Sequence, residues 1–153
     1  MTERMNYSAV APEAYKSMLA MQKYLATSSI DHTLHELVKI RVAQINGCAY
    51  CVDVHTRDAR KHGEEESRIY ALSVWRESPE FTDEERAALE LAEAMTLIAG
   101  RGVPAETWEL ASKFFDEQQL ADAVLAVITI NAFTRLAITT GMVPGRSKPA
   151  LSK

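Results

Sequence analysis

The sequence predicts an all-α protein, a bundle of about six to seven helices. Three observations carry this reading. Apolar residues recur three or four positions apart through most of the chain, the spacing of one helical face. Alternating runs of β-branched and aromatic residues bounded by hairpin turns, the mark of strands, are missing. Glycine and proline fall between the periodic segments, where helices start and stop.

The elements follow in order. Pro12 suits a first helical turn, and Ala14, Met18, Met21 and Leu25 form one stripe, so a helix spans about Pro12 to Ala26. A second spans about Asp31 to Ile45, with Leu34, Leu37, Val38, Arg41 and Ile45 in register. Asn46-Gly47 ends it, because both residues tolerate the left-handed conformation of a C-cap. A third opens at Cys48 and Cys51 and runs to His62, closed by Gly63. A fourth covers Glu64 to Val74, before the Ser78-Pro79 break. Thr82 with Glu85 three residues on makes a capping box, starting a fifth helix that reaches Ile98. Pro104 starts a sixth, to Phe115, and Ala121 to Thr140 is a seventh, stopped by Gly141 and Pro144.

One domain, residues 1–153, accounts for the whole length, with a core from about 12 to 141 and a polar, mobile tail over 145–153. A chain of this size buries about two-thirds of its unfolded surface and needs no metal or disulfide to fold. Lys plus Arg is 17 against 21 Asp plus Glu, a net charge of −4, which favours neither nucleic acid nor an anionic membrane as partner. The N-terminus lacks the apolar stretch of a secretory signal, and the apolar region Ala121 to Ile138 contains Asp122, Asn131 and Arg135, which suits a buried helix better than a membrane span. A cytoplasmic location is the expectation. In that reducing setting the two cysteines, the entire thiol content, are a reactive or metal-binding pair rather than a staple.

Chemistry concentrates between Glu36 and His55. With Cys48 at the mouth of the third helix, Cys51 lies one turn inside on the same side, within disulfide reach. The helix N-terminus stabilises a thiolate there. His55, four residues after Cys51, is its neighbour on one helical face and can take or return the thiol proton. Two other readings fit the same residues. One is a zinc site of Cys48, Cys51 and His55 with a fourth ligand from His32, His35 or His62. The other is a pair of buried, inert cysteines. Attachment of c-type haem is excluded, because Val52 rather than histidine follows Cys51.

Glu36 stands twelve residues before Cys48, and Asn-Gly-Cys-Ala-Tyr-Cys with His55 completes the pattern. This constellation resembles the core of the AhpD-like alkylhydroperoxidase family, within the carboxymuconolactone decarboxylase superfamily. The run LHELVKIRVAQINGCAYCVDVHTRDARKHG is similar to its small, single-core members. So are LSVWR (72–76), FTDEERAAL (81–89) and INAFTRL (130–136), and the likeness spans roughly Leu34 to Ala137.

The resemblance implies an AhpD-like helical bundle and a thiol-disulfide peroxidase active in antioxidant defence. By position, Cys51 would attack the peroxide, Cys48 would resolve the sulfenic acid, His55 would shuttle the proton and Glu36 would draw it off through water. Helix-dipole reasoning alone would favour Cys48 as the attacking thiol. The implied partners are a hydroperoxide substrate, a dithiol reductant and further copies of the chain in a trimer or hexamer. No cofactor beyond the Cys48–Cys51 pair is implied. Tyr50 occupies the place where the best-characterised peroxidase members carry another histidine, and tyrosine is not an equivalent proton carrier near pH 7. A carboxymuconolactone decarboxylase-like lyase, a general disulfide oxidoreductase and a metal-binding oligomer are the alternatives on the same fold.

Other polar residues have structural expectations. His32 and His35 read as a solvated helix surface, as do Glu64-Glu65-Glu66 and the acidic start at Asp83. Trp75 and Trp108 read as packing or interface residues. Arg135, in an apolar helix with Asn131 four residues before it, is expected to have a structural use, as a buried charge pairing with a carboxylate at a subunit contact or near the site.

Overall fold

The structure, a computed structural model, describes residues 2–145, apart from the side chain of Arg101. Among these residues there are nine α-helices, one 3-10 turn and no strand. In chain order they are α1 (Tyr7–Val10), α2 (Pro12–Leu25), α3 (His32–Ile45), α4 (Ala49–Lys61) and α5 (Glu66–Ala71), then the 3-10 turn Leu72–Val74. α6 (Asp83–Thr96), α7 (Ile98–Arg101), α8 (Ala105–Ala111) and α9 (Glu117–Thr140) complete the bundle. All seven expected helices are present, and the two additional ones, α1 and α7, are single four-residue turns.

α3 is the central element and packs against α4, α6 and α9. The Asp31 carboxylate starts it by accepting from the amides of Thr33 and Leu34, at 2.7 and 3.2 Å. Two hydrophobic clusters meet along it. Leu34, Val38 and Val42 join the cluster that holds Cys48, Cys51, Leu91, Phe115 and Val127. Leu37 and Ile40 join the other, with Leu72, Trp75, Phe81 and Leu89. A helix buried on two sides lacks a clean polar face. That is why His35 and Glu36, one residue apart, are both buried.

Several boundaries differ from expectation. The seventh helix begins at Glu117 rather than Ala121, because Asp116 and Gln119 form a capping box. The fourth begins at Glu66 and tightens into the 3-10 turn. Glu64 is not solvated: it is buried, and its carboxylate holds Arg68 Nε at 2.9 Å. Arg68 in turn pairs with Glu85 of the α6 capping box, at 2.5 Å. Trp75 is buried as expected, donating its indole N–H to Glu93 at 2.9 Å, whereas Trp108 is exposed. Arg135 is exposed and donates to the backbone and side-chain oxygens of Asn131, at 3.0 and 2.8 Å, so it is neither buried nor held by a carboxylate among the described residues. Of the tail expected to be mobile, residues 146–153 lie outside the described residues.

Among the described residues, α9 alone is long and apolar enough to cross a membrane by length and composition. It packs against α2, α3, α4 and α6, and carries the buried Asp122, whose carboxylate accepts from Tyr24 Oη at 2.9 Å. Its C-terminal end is clasped by the N-terminal segment: the amides of Arg4 and Met5 donate to the Thr140 carbonyl at 2.7 and 3.2 Å. Gly141 caps α9 in the left-handed conformation, φ +73°, and a Cβ there would stand 2.6 Å from the Thr2 carbonyl oxygen.

Candidate active site

The turn between α3 and α4 builds the site. Gly47, at φ +67°, reverses the chain, a conformation open to glycine at little cost. Cys48 then acts as the N-cap of α4, its Sγ accepting from the Cys51 amide at 3.2 Å. A cap and the residue three positions on lie on one side of a first turn. Cys48 and Cys51 accordingly have Cα atoms 5.3 Å apart and are joined in a disulfide. Both are buried, at 1% and 3% exposure. The structure thus pairs the cysteines with each other.

Asn46 fixes this turn to the rest of the bundle. Its amide donates to Asn131 Oδ1 and Thr134 Oγ1 of α9, both at 3.0 Å. Asn131 passes the connection on to Thr96 of α6, at 3.1 Å. Sequence reasoning read Asn46 only as a helix end. The contacts it makes cross 85 and 88 residues of chain, and no local pattern announces them.

One turn beyond Cys51, His55 Nδ1 donates to Glu36 Oε2 at 2.8 Å. The other oxygen of Glu36 accepts from Lys39 Nζ at 2.7 Å. Burial pushes the Glu36 carboxyl up, but its bonds and charge interactions with His55 and Lys39 outweigh that and hold it at about 2. Glu36 is therefore a carboxylate at neutral pH, and it fixes both the orientation and the tautomer of His55. Lys39 is a member of this group that sequence reasoning missed. Its spacing of three residues from Glu36 on one helix was the available signal.

His35 is buried, which corrects its expected place on a solvated helix surface. His32 is exposed as expected, and its ring packs on that of His62, with centroids 3.9 Å apart and the planes tilted by 37°. His35, Lys39 and His55 line one cleft of about 90 Å³ between α2, α3 and α9. Tyr50 faces elsewhere, into a pocket of about 210 Å³ with Tyr7, Tyr15 and Leu136. Burial there, then the charges of Tyr15 and Asp53, push its hydroxyl pKa up. Neither His55 nor Glu36 lines that pocket. Among the described residues, the ligand atoms of Glu36, His55 and Asp58 lie within 4.8 Å of one another, close enough to share a cation.

The family model of the carboxymuconolactone decarboxylase family matches residues 12–94, which include Glu36, Lys39, Cys48, Cys51 and His55. The chain belongs to the carboxymuconolactone decarboxylase family. Within reach of that family, the Bacillus subtilis (strain 168) protein YdfG, itself uncharacterised, is 48% identical over 141 residues, covering 92% of this chain and 96% of its own. A solved structure from Agrobacterium tumefaciens, a protein of unknown function provisionally assigned to the antioxidant defence protein AhpD, superposes with a TM-score of 0.92 at 36% identity. That likeness covers 95% of this chain and 100% of the other. An uncharacterised peroxidase-related protein from Ralstonia eutropha JMP134, described as an alkylhydroperoxidase AhpD core, has a TM-score of 0.80 at 19% identity over 90% of this chain and 74% of its own. At that identity it shows the fold alone. The AhpD-like helical fold expected from the motif is the fold observed.

Proposed function

We propose that this member of the carboxymuconolactone decarboxylase family is a thiol-dependent peroxidase that cycles Cys48 and Cys51 between dithiol and disulfide. The observation that carries the reading is the bond from His55 Nδ1 to Glu36. A proton held on Nδ1 leaves Nε2 as the basic nitrogen, on the residue one helical turn from Cys51.

The steps balance as follows. In the reduced protein His55 takes the Cys51 proton. The thiolate attacks one peroxide oxygen, the O–O bond breaks, and the proton passes from His55 to the departing alkoxide. An alcohol and a Cys51 sulfenic acid result. The Cys48 thiol then attacks the Cys51 sulfur, releasing water and forming the disulfide. A dithiol reductant restores both thiols by exchange and becomes a disulfide itself. Cys51 takes the attacking role because it neighbours His55, and Cys48, at the cap, is the resolving thiol. A reducing compartment such as the cytoplasm supplies such a reductant. By likeness to the family we also propose that further copies of the chain assemble into a trimer or hexamer.

The test is peroxide consumption by dithiol-reduced protein, followed by intact mass. Wild type should consume one equivalent and lose two mass units as its thiols become resistant to alkylation. Cys51→Ser should consume none, and Cys48→Ser should halt at a sulfenic acid that a dimedone probe captures. Consumption unchanged in Cys51→Ser would remove the assignment.

A further inference from the structure

The cavity of about 210 Å³ stands beside the N-terminal clasp, and neither cysteine, His55 nor Glu36 lines it. One wall is the N-terminal segment itself, held by the bonds from the Arg4 and Met5 amides to the Thr140 carbonyl. The others are Tyr15 of α2, Tyr50 of α4, Leu136 of α9, and Met142 and Val143 just beyond it. These five residues are half-buried, so the cavity can be entered from solvent.

The lining suits a ring. Tyr7 meets Tyr15 edge-on, with centroids 6.5 Å apart and planes at 63°, and Tyr15 meets Phe133 at 6.3 Å and 85°. Rings prefer this edge-to-face arrangement, and one more ring entering beside Tyr15 extends it. Leu136, Met142 and Val143 add aliphatic surface. An apolar cavity of about 150 Å³ already takes up benzene.

Two polar groups converge on this lining. The hydroxyls of Tyr15 and Tyr50 have no hydrogen-bond partner among the described residues. Burial raises the pKa of both, and the charge of Tyr15 raises that of Tyr50, so the two hydroxyls stand within electrostatic reach of each other. Both keep their protons at neutral pH and are donors. A few donors set in an apolar wall is the make-up of a small-molecule site. Among the described lining residues none is basic, whereas Glu3 is acidic and Asp53 acts on Tyr50 from nearby. An anion finds no counter-charge there. A neutral carbonyl oxygen, with two lone pairs, finds two donors.

We propose that this cavity binds a neutral aromatic carbonyl compound, its ring against Tyr7 and Tyr15 and its oxygen accepting from the hydroxyls of Tyr15 and Tyr50. The site is separate from the Glu36–His55 pair and does not rest on the peroxidase reading.

The test titrates acetophenone into the oxidised protein, with isotope-labelled tyrosine rings followed by NMR. The expected result is a saturable shift of the Tyr7, Tyr15 and Tyr50 rings, while Tyr24 and Tyr70, outside the cavity, stay in place. α-Methylstyrene has the same shape with a methylene group in place of the carbonyl oxygen, and should bind about tenfold more weakly. Benzoate, which carries a charge, should bind more weakly than acetophenone by at least about tenfold. Tyr15→Phe and Tyr50→Phe should each weaken acetophenone by about fivefold and leave α-methylstyrene within about twofold, a split that a merely structural effect does not produce. Val143→Trp should obstruct both compounds. No saturable shift, equal affinity for acetophenone and α-methylstyrene, benzoate binding as tightly as acetophenone, phenylalanine variants that weaken both neutral compounds alike, or unaltered binding in Val143→Trp would each overturn the proposal. Peroxide consumption enters none of these readings, so a failure of the peroxidase reading leaves the titration decisive.

Discussion

His55 Nδ1 lies 2.8 Å from Glu36 Oε2, and this one bond joins the helix that carries the cysteines to the central helix of the bundle. Glu36 also holds Lys39, so a single buried carboxylate sets the charge, tautomer and position of the groups beside the disulfide. The predictions below begin from that dependence.

Glu36→Gln keeps the size of the side chain and removes its charge. His55 loses the acceptor that fixes its tautomer, and Lys39 loses its counter-charge. Reaction of the reduced protein with hydroperoxide at pH 7 should fall by about 100-fold. The pH profile should flatten as well, read as rate against pH from 5 to 9. A wild-type profile in the variant would remove Glu36 from the relay.

Acid should destabilise the fold in two separate windows. The folded His35 pKa is about 4, below its ordinary value of 6.5, so the unfolded chain binds that proton first and stability declines as pH falls from 6.5 towards 4. Glu36 is held at about 2, below its ordinary value of 4.5, so its contribution is whole above 4.5 and is lost as pH falls towards 2. The Glu36 contribution is on the order of 3 kcal/mol. Urea unfolding at closely spaced pH values should show both declines. His35→Phe should abolish the upper one and spare the lower.

Asn46→Ala should cost about 1–3 kcal/mol, because Asn131 and Thr134 lose a shared partner inside the bundle. The loss should be redox-sensitive, larger in the dithiol form, where no covalent bond secures the turn. Thermal unfolding of the reduced and oxidised variant measures this, and equal losses in the two forms would argue against Asn46 as the anchor of the turn.

Gly141→Ala should detach the N-terminal clasp. Its Cβ would stand 2.6 Å from the Thr2 carbonyl, in a backbone conformation that already costs an alanine about 1 kcal/mol or more. Hydrogen exchange at Arg4 and Met5 should accelerate, while protection within α3 should stay close to wild type. Retained protection at both amides would show that the clasp survives the substitution.

The sequence made the helices legible because breakers and caps are local signals. The Thr82–Glu85 box and the Gly141 stop act through residues a few positions apart. The relation of Cys48, Cys51 and His55 was legible for the same reason, since offsets of three and four set their geometry on one helix. Glu36 was placed by family likeness, as its distance from His55 depends on how two helices pack. The burial of His35 and Glu64 escaped prediction. α3 lies between two hydrophobic clusters, so its periodicity does not distinguish an outward face. Glu64 owes its burial to Arg68, whose second anchor, Glu85, is supplied from α6. Long-range contacts of this kind leave no mark in local spacing.

The double burial of α3 also makes the protein its own reporter. Arg41, five residues after Glu36 on the same helix, bonds to Glu93 at 2.6 Å, and Glu93 accepts the Trp75 indole N–H. A rearrangement of the disulfide turn that shifts α3 is thereby conveyed to a buried fluorophore in the opposite cluster. Trp108, exposed on α8, supplies a solvent-facing emission against which that change is read. Reduction of the two buried sulfurs should then be readable as a change in ultraviolet-excited tryptophan emission, without a label.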